Sequence, residues 1–270
     1  MGNKALLVGI NKYKIADSDL SGCVNDATNV RDVLLKYLGF EIGDIRLITD
    51  ERATKDAIIE GLKWLVKGAK VKDRLLFHFS GHGSQVRDLN GDELSDRLDE
   101  ILCPHDMDWN GTYIKDDDLE KIFRGLPKGI NLEVLLDSCH SGTGTREAFG
   151  IKSLPVELSF RPRFLEPPVD VQCRMDEDLR AKKILRETNP LNHVLFSACR
   201  DHQKSADAFI NGSYNGAFTY YFCKHIRDAE GKATRLELLR RVRASLRFNG
   251  FSQVPELEAP KDEKGKRVLE

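Results

Sequence analysis

Two short stretches rich in small residues carry the side chains of covalent catalysis: Phe79-Ser80-Gly81-His82-Gly83-Ser84 and Asp137-Ser138-Cys139-His140-Ser141-Gly142. A thiol is a strong nucleophile once ionised or paired with an imidazole. Small neighbours let a substrate backbone come close to it. A glycine N–H together with the nucleophile's own N–H can hold the oxyanion of an acyl-transfer intermediate. A single His or Cys is usually a satisfied core or loop residue. Two such turns, each directly after an apolar run, single out His82 and Cys139. They can work together only if the runs before them are neighbouring strands.

Other chemistry-bearing residues are weighed against this pair. His78 stands four residues before His82, which on a helix would suggest a metal pair. Here the run is a strand followed by a turn, so a metal protein using His78, His82 and Cys103 is a minor rival. His140 reads as a local packing or hydrogen-bonding residue. The six cysteines form no C-x-x-C pair, and a disulfide framework is not expected. Cys103, Cys173, Cys199 and Cys223 have no partnering context and read as structural or incidental, most of them small buried hydrophobes.

The elements that must position the pair follow from hydrophobic patterning. Apolar runs at 5–10, 45–48, 74–79, 131–136 and 193–197 read as strands, several with the continuous character of strands buried on both faces. Helical spacing appears at 26–38, at 54–67 with Thr54 as N-cap, near 119–123, and at 217–227 and 234–246. Strands alternating with helices give an α/β fold with a mostly parallel central sheet flanked by helices. Open sheets of this kind place their sites at the carboxyl ends of the strands, which is where both polar turns fall.

The chain has 270 residues, a formal net charge of −1 and a hydrophobic fraction of 40%. It is long enough for a sizeable core, and residues 1–270 read as one domain. Balanced charge argues against nucleic-acid or membrane-surface binding. The apolar runs fall well short of the roughly 20 residues of a membrane span. The first residues run straight into a strand, leaving no room for a signal peptide, so a cytoplasmic location is expected.

Taken together, several motifs are similar to one known family. Ala5-Leu6-Leu7-Val8-Gly9-Ile10-Asn11, Leu20-Ser21-Gly22-Cys23-Val24-Asn25-Asp26-Ala27, the two polar turns, Phe196-Ser197-Ala198-Cys199-Arg200-Asp201 and Gly216-Ala217-Phe218-Thr219 resemble a metacaspase or prokaryotic caspase-like peptidase. The resemblance implies a caspase-like three-layer sandwich and a cysteine endopeptidase working through a dyad, His82 and Cys139, with Gly83 and Cys139 supplying the oxyanion N–H groups. No third residue orienting His82 is evident from spacing. Metacaspase-like proteins resemble monomers more than dimeric caspases. The rival of a different class is a catalytically silent caspase-fold interaction module, against which both dyad residues speak.

The resemblance also implies a pocket for Arg or Lys, built from Asp26, Ser80 and Asp137, and hence protein or peptide substrates with basic residues. Carboxylates at a strand-end cleft suit a guanidinium or ammonium. The competing role for Asp26 is N-cap of the first helix. No cofactor is required for the chemistry, but the resemblance offers Ca²⁺ as an activator, held by Asp99, Asp116 and Asp117. These lie in a stretch, 88–118, with eleven acidic and two basic residues. Hard carboxylate oxygens suit Ca²⁺. Alternatively, residues 116–118 cap a helix beginning near Leu119.

Residues 145–190 differ from the rest, with five of the nine prolines, nine basic and eight acidic residues. They read as a long surface excursion. Their basic residues, Arg146, Lys152, Arg161, Arg163, Arg174, Arg180, Lys182, Lys183 and Arg186, follow directly after the nucleophile turn. An enzyme preferring basic residues would find cleavage sites there, tethered near its own cleft.

Overall fold

The computed structural model describes residues 2–87, 98–139, 160–172, 193–200 and 203–270. A six-stranded sheet runs through the centre. Its strands are β1 (Asn3–Gly9), β2 (Ile45–Thr49), β3 (Arg74–Ser80), β7 (Asn131–Asp137), β9 (Val194–Ser197) and β12 (Glu256–Glu258), in spatial order β12-β9-β7-β3-β1-β2. The first five pair in parallel; β12 is antiparallel to β9. The five apolar runs of the sequence are these five parallel strands. The order of strand addition reverses at β1, with β2 on one side of it and β3 and β7 on the other.

Among the described residues, the helices that cover the sheet include α1 (Cys23–Tyr37), α2 (Lys55–Val66), α3 (Asp116–Phe123), α4 (Ala217–Asp228) and α5 (Arg235–Phe248). Alternate strand residues point to opposite faces. Ala5, Leu7, Leu76 and Leu135 therefore join one core with α1, α4 and α5. Leu6, Val8, Leu75, Phe77, Phe79, Leu132 and Val134 join the other with α2 and α3. Two cores around one sheet explain why the strands are apolar throughout rather than alternating. Among the described residues, no helix is long and apolar enough to cross a membrane.

Two helix starts differ from the sequence reading. The helix α1 begins at Cys23, three residues earlier than the patterning suggests, with Gly22 at its N-cap; Asp26 is inside the first turn and is not the cap. The helix α3 begins at Asp116, so Asp116, Asp117 and Asp118 form its acidic first turn, where they oppose the helix dipole. Thr54 caps α2 as expected, accepting from the Ala57 N–H at 3.3 Å.

Two small sheets were not legible in the patterning. The strands β4 (Gly83–Arg87), β5 (Leu98–Leu102) and β6 (Ile114–Lys115) form an antiparallel meander after the histidine turn. The strands β8 (Phe160–Pro162), β10 (Ala206–Ile210) and β11 (Ser213–Gly216) form the other, in order β11-β10-β8. Residues 160–172 are all that is described of the proline-rich excursion. They are not a solvated loop: Phe160–Pro162 is a strand and Arg163 is 0% exposed.

Candidate active site

The strands β3 and β7 are immediate neighbours, in register from Arg74 opposite Asn131 to Ser80 opposite Asp137. That register brings the two polar turns side by side. Ser80 and Asp137 close the strands; His82 and Cys139 each follow two residues later. His82 is 5% exposed and Cys139 fully buried.

The imidazole has a fixed orientation. Its Nε2 lies 2.7 Å from the Ser18 carbonyl oxygen. A carbonyl only accepts, so Nε2 carries the proton and Nδ1 keeps its lone pair. Nδ1 is buried with no hydrogen-bond partner among the described residues. The His82 backbone N–H donates to the Tyr13 hydroxyl at 2.8 Å, and the Tyr13 ring packs against the imidazole at 4.9 Å between centroids. Burial pulls the His82 pKa down to about 4, leaving a neutral ring at neutral pH. The group orienting His82 is thus a backbone carbonyl, which no side-chain motif announces.

Around the thiol, the Ser205 N–H donates to the Cys139 sulfur, and Phe164 and Cys199 pack with Cys139 into a small apolar cluster. Cys199 is therefore not incidental. A hydrogen bond with Cys139, reinforced by burial, pushes its own thiol pKa well up.

Beside the pair lies a pocket filled by the Arg163 guanidinium. Its Nη2 donates to Asp26 at 2.7 Å and to Asp207 at 3.0 Å. Its Nη1 donates to the Ser80 hydroxyl at 2.8 Å and to the Asp137 carbonyl at 3.1 Å, with the Asp137 carboxylate 3.2 Å away. The three residues Asp26, Ser80 and Asp137, drawn together from the sequence, converge on one cation. Asp207 completes the set and was missed; it lies in the strand β10, far along the chain, and only the fold brings it in.

The carboxylates are themselves held. Gly216 N–H donates to both Asp26 oxygens at 2.9 and 3.0 Å. Thr219 donates to Asp137 through its N–H at 3.0 Å and its hydroxyl at 2.7 Å. Gly216 and Thr219 are the N-cap and first turn of α4, an end that favours negative charge. The Ser21 and Gly22 N–H groups donate to Asp207 at 2.8 and 2.9 Å. Gly216 is required here, because a Cβ would lie 2.3 Å from Asp137 Oδ2 and 2.4 Å from Arg163 Nη1. Burial nevertheless pushes the Asp26 carboxyl up to about 7, against the pull of Arg163.

The backbone of Arg163 is placed as tightly as its side chain. Its carbonyl oxygen accepts from the Gly83 N–H at 3.0 Å and from the Cys139 N–H at 3.2 Å. These are the two N–H groups named as oxyanion donors from the sequence resemblance.

The remaining expectations are not drawn together. Asp99, on β5, binds the Lys115 ammonium, while Asp117, on α3, lies 3.7 Å from Lys121. Among the described residues, no three His, Cys, Asp or Glu side chains converge as metal ligands. Asp99 is paired with Lys115, and Asp116 and Asp117 lie in the first turn of α3. The same absence applies to His78, His82 and Cys103; His78 Nε2 instead lies 3.5 Å from the Thr219 hydroxyl. Of the basic residues of the excursion, Arg146, Lys152, Arg174, Arg180, Lys182, Lys183 and Arg186 lie outside the described residues.

A mostly parallel sheet between two helical layers, with a thiol and an imidazole at adjacent strand ends, defines a caspase-like α/β protein. The crystal structure of Caspase-1 from Spodoptera frugiperda superposes with a TM-score of 0.57 over 99% of this chain and 91% of that one, at 15% identity, a likeness of fold alone. The metacaspase peptidase C14 domain matches residues 3–146. Metacaspase-1 of Meyerozyma guilliermondii is 34% identical over 95% of this chain and 69% of its own length. Metacaspase-3 of Arabidopsis thaliana is 35% identical over 92% and 67%. The chain belongs to the metacaspase family and is a cysteine-type peptidase.

Proposed function

We propose that this peptidase cleaves proteins or peptides after arginine or lysine, with Cys139 as nucleophile and His82 as its proton-transfer partner. One observation carries the reading. A guanidinium lies among three buried carboxylates while the carbonyl of the same residue faces two N–H groups beside the thiol. Charge selection and carbonyl activation are thereby joined in one residue's reach. Asp26 and Asp207 share one guanidinium nitrogen and Asp137 faces the other, the planar geometry that favours arginine; lysine would enter as a point charge.

The chemistry follows from these placements. The Cys139 sulfur attacks the substrate carbonyl carbon, and the oxygen takes negative charge against the Gly83 and Cys139 N–H groups. Neutral His82, protonated at Nε2 toward Ser18, offers Nδ1 to the thiol proton. It then delivers that proton to the leaving amine. Water hydrolyses the thioester by the same route in reverse. Peptides differing only in Arg, Lys, Gly or Asp before the bond test the reading: Arg and Lys peptides are cut, Asp peptides are not. Equal cleavage of all four would refute the acidic pocket, and cleavage of none by folded protein would favour a silent interaction module.

A further inference from the structure

The helix α5 is charged on one side. Five of its fourteen residues are arginine and one is acidic, in a chain whose net charge is −1. Arg235 is buried on Glu133, and Leu238, Leu239, Val242 and Leu246 face the core. On the other side Arg240, Arg241, Ala244, Arg247 and Phe248 are all exposed. Their spacing puts them on one helix face, about 12 Å long at 1.5 Å per residue. The acids nearby are already engaged: Glu237 accepts from the Thr234 N–H at 3.0 Å, and Asp228 from Lys224 at 2.6 Å. Among the described residues, Arg240, Arg241 and Arg247 form no ion pair. Arg247 by itself would answer the negative end of the helix dipole; Arg240 and Arg241 lie in the middle turns, out of its reach. Phe248 is 89% exposed, the most exposed of the large apolar side chains described.

This face ends at the cleft. The Gly250 N–H donates to the Arg247 carbonyl at 3.2 Å and the Phe251 N–H to the Leu246 carbonyl at 3.0 Å, which turns the chain off the helix. Gly250 and Phe251 then line a small cavity with Phe160 and Ala206, and Ala206 directly precedes the pocket residue Asp207. Gln253 pins this loop to the site, accepting from the Ala206 N–H at 3.0 Å and donating to the Ala198 carbonyl at 3.0 Å. Phe160 stands three residues before Arg163. The cavity therefore lies on the side along which residues preceding a basic side chain run.

We propose that the outer face of α5 is a second contact for protein substrates: it binds an acidic stretch lying before the cleaved basic residue, with Phe248 packing on an apolar side chain of that stretch. The proposal rests on the Arg/Lys reading above. Guanidinium forks match carboxylates in two-point contacts, and every surface cation of α5 is an arginine. A membrane surface fits less well, because the other large apolar side chains of α5 are spent on the core and a single Phe248 is left to insert. Nucleic acid fits less well too, since one short helix face in a chain of balanced charge is a narrow basic footprint. A contact of this exposed, charged kind steers encounter and sets preference more than it adds affinity. It separates substrates that share the same basic residue by what precedes it.

Short arginine peptides, compared with the same peptides extended upstream by a run of Asp and Glu or by a neutral run of Ser and Gln, test the contact. At low salt the acidic extension should raise kcat/KM about tenfold over the neutral one, the order that three exposed ion pairs supply. The gain should shrink as salt is added. Arg240→Gln, Arg241→Gln and Arg247→Gln combined, which keep good helix formers in place, should erase the gain, while turnover of the short peptides, which reports the cleft alone, stays as it was. Phe248→Ser should remove part of it. Binding is read separately without cleavage: by fluorescence anisotropy, Cys139→Ala should bind an acidic peptide that contains no basic residue, and should lose it when combined with the three glutamine substitutions. Equal turnover of acidic and neutral extensions overturns this proposal and leaves the Arg/Lys reading standing. Failure to cut any short arginine peptide, with the acidic peptide still bound, overturns the Arg/Lys reading and leaves the acidic-peptide face standing. A gain that survives the triple substitution, or tighter binding of an oligonucleotide or of phosphatidylserine vesicles than of the acidic peptide, overturns the assignment of this face.

Discussion

The strand β7 ends in two buried ion pairs, and they differ in kind. Near its start, Glu133 binds the fully buried Arg235 at 2.7 Å. Arg235 is the first residue of α5 and also reaches Glu263 at 3.0 Å and Asn131 at 3.1 Å. Glu133 further accepts from the Leu269 N–H at 2.7 Å. This cluster ties helix, strand and chain end together. At the other end, Asp137 faces Arg163, but three carboxylates surround that cation, and its carbonyl lies on two N–H groups beside a thiol. A buried salt bridge by itself is weak evidence for any role. What distinguishes the two is excess negative charge and a backbone carbonyl presented to N–H donors.

The largest effects should fall at the thiol and imidazole. Cys139→Ala is expected to abolish turnover of arginine peptides, and His82→Ala to lower it by about 10²–10⁴-fold, the usual worth of general acid–base catalysis. Thermal midpoints near wild type would show that chemistry alone was lost; a parallel loss of fold would make the turn structural.

The two ends of β7 should separate under conservative substitution. Asp137→Asn or Asp207→Asn is expected to cost about 2–5 kcal/mol of transition-state binding for arginine substrates, since each leaves a buried charge with one partner fewer. Glu133→Gln should instead cost about 3–5 kcal/mol of folding stability by stranding Arg235. Its kcat/KM, measured on the folded fraction, should be unchanged. Urea melts and steady-state kinetics on the same preparations decide this. A Glu133→Gln protein with altered specificity would erase the distinction.

A smaller effect concerns pH. On the proposed reading a substrate arginine binds the ionised pocket, so lowering pH must weaken it as Asp26 takes up a proton. With Arg163 in place burial holds that carboxyl at about 7, and removing the cation moves it higher. KM for arginine peptides should therefore rise as pH falls from the empty pocket's higher pKa toward about 7, approaching tenfold per unit at most for a single proton, and level off below that. His82, held at about 4 by burial, stays neutral across this range and adds no limb. Asp26→Asn should flatten the profile; a limb unchanged by that substitution would assign it elsewhere.

The smallest expected change lies outside both ends. Thr54→Ala removes the cap of α2 and should cost about 1 kcal/mol of stability, with turnover unaltered. It calibrates how far a purely structural loss reaches into kinetics.

The sequence by itself determined the five parallel strands, because strands buried on both faces leave continuous apolar runs, and it placed His82 and Cys139 in polar turns directly after two of them, which the register of β3 and β7 brings side by side. Asp26, Ser80 and Asp137 were legible only through a family resemblance; nothing in their spacing says they meet. Tertiary structure alone decided four things. Asp207 joins the pocket because β10 returns to it from the far side of the chain. Ser18 orients His82 through a carbonyl, a group every residue has and no motif marks. Lys115, not a convergence of carboxylates, answers the charge of Asp99. Arg163, one of nine basic residues in an unpatterned stretch, was indistinguishable from its neighbours until backbone pairing with β10 and β4 fixed its register. Local patterning encodes which face a residue buries, whereas the meeting of charges distant in the chain is set by how the strands are ordered.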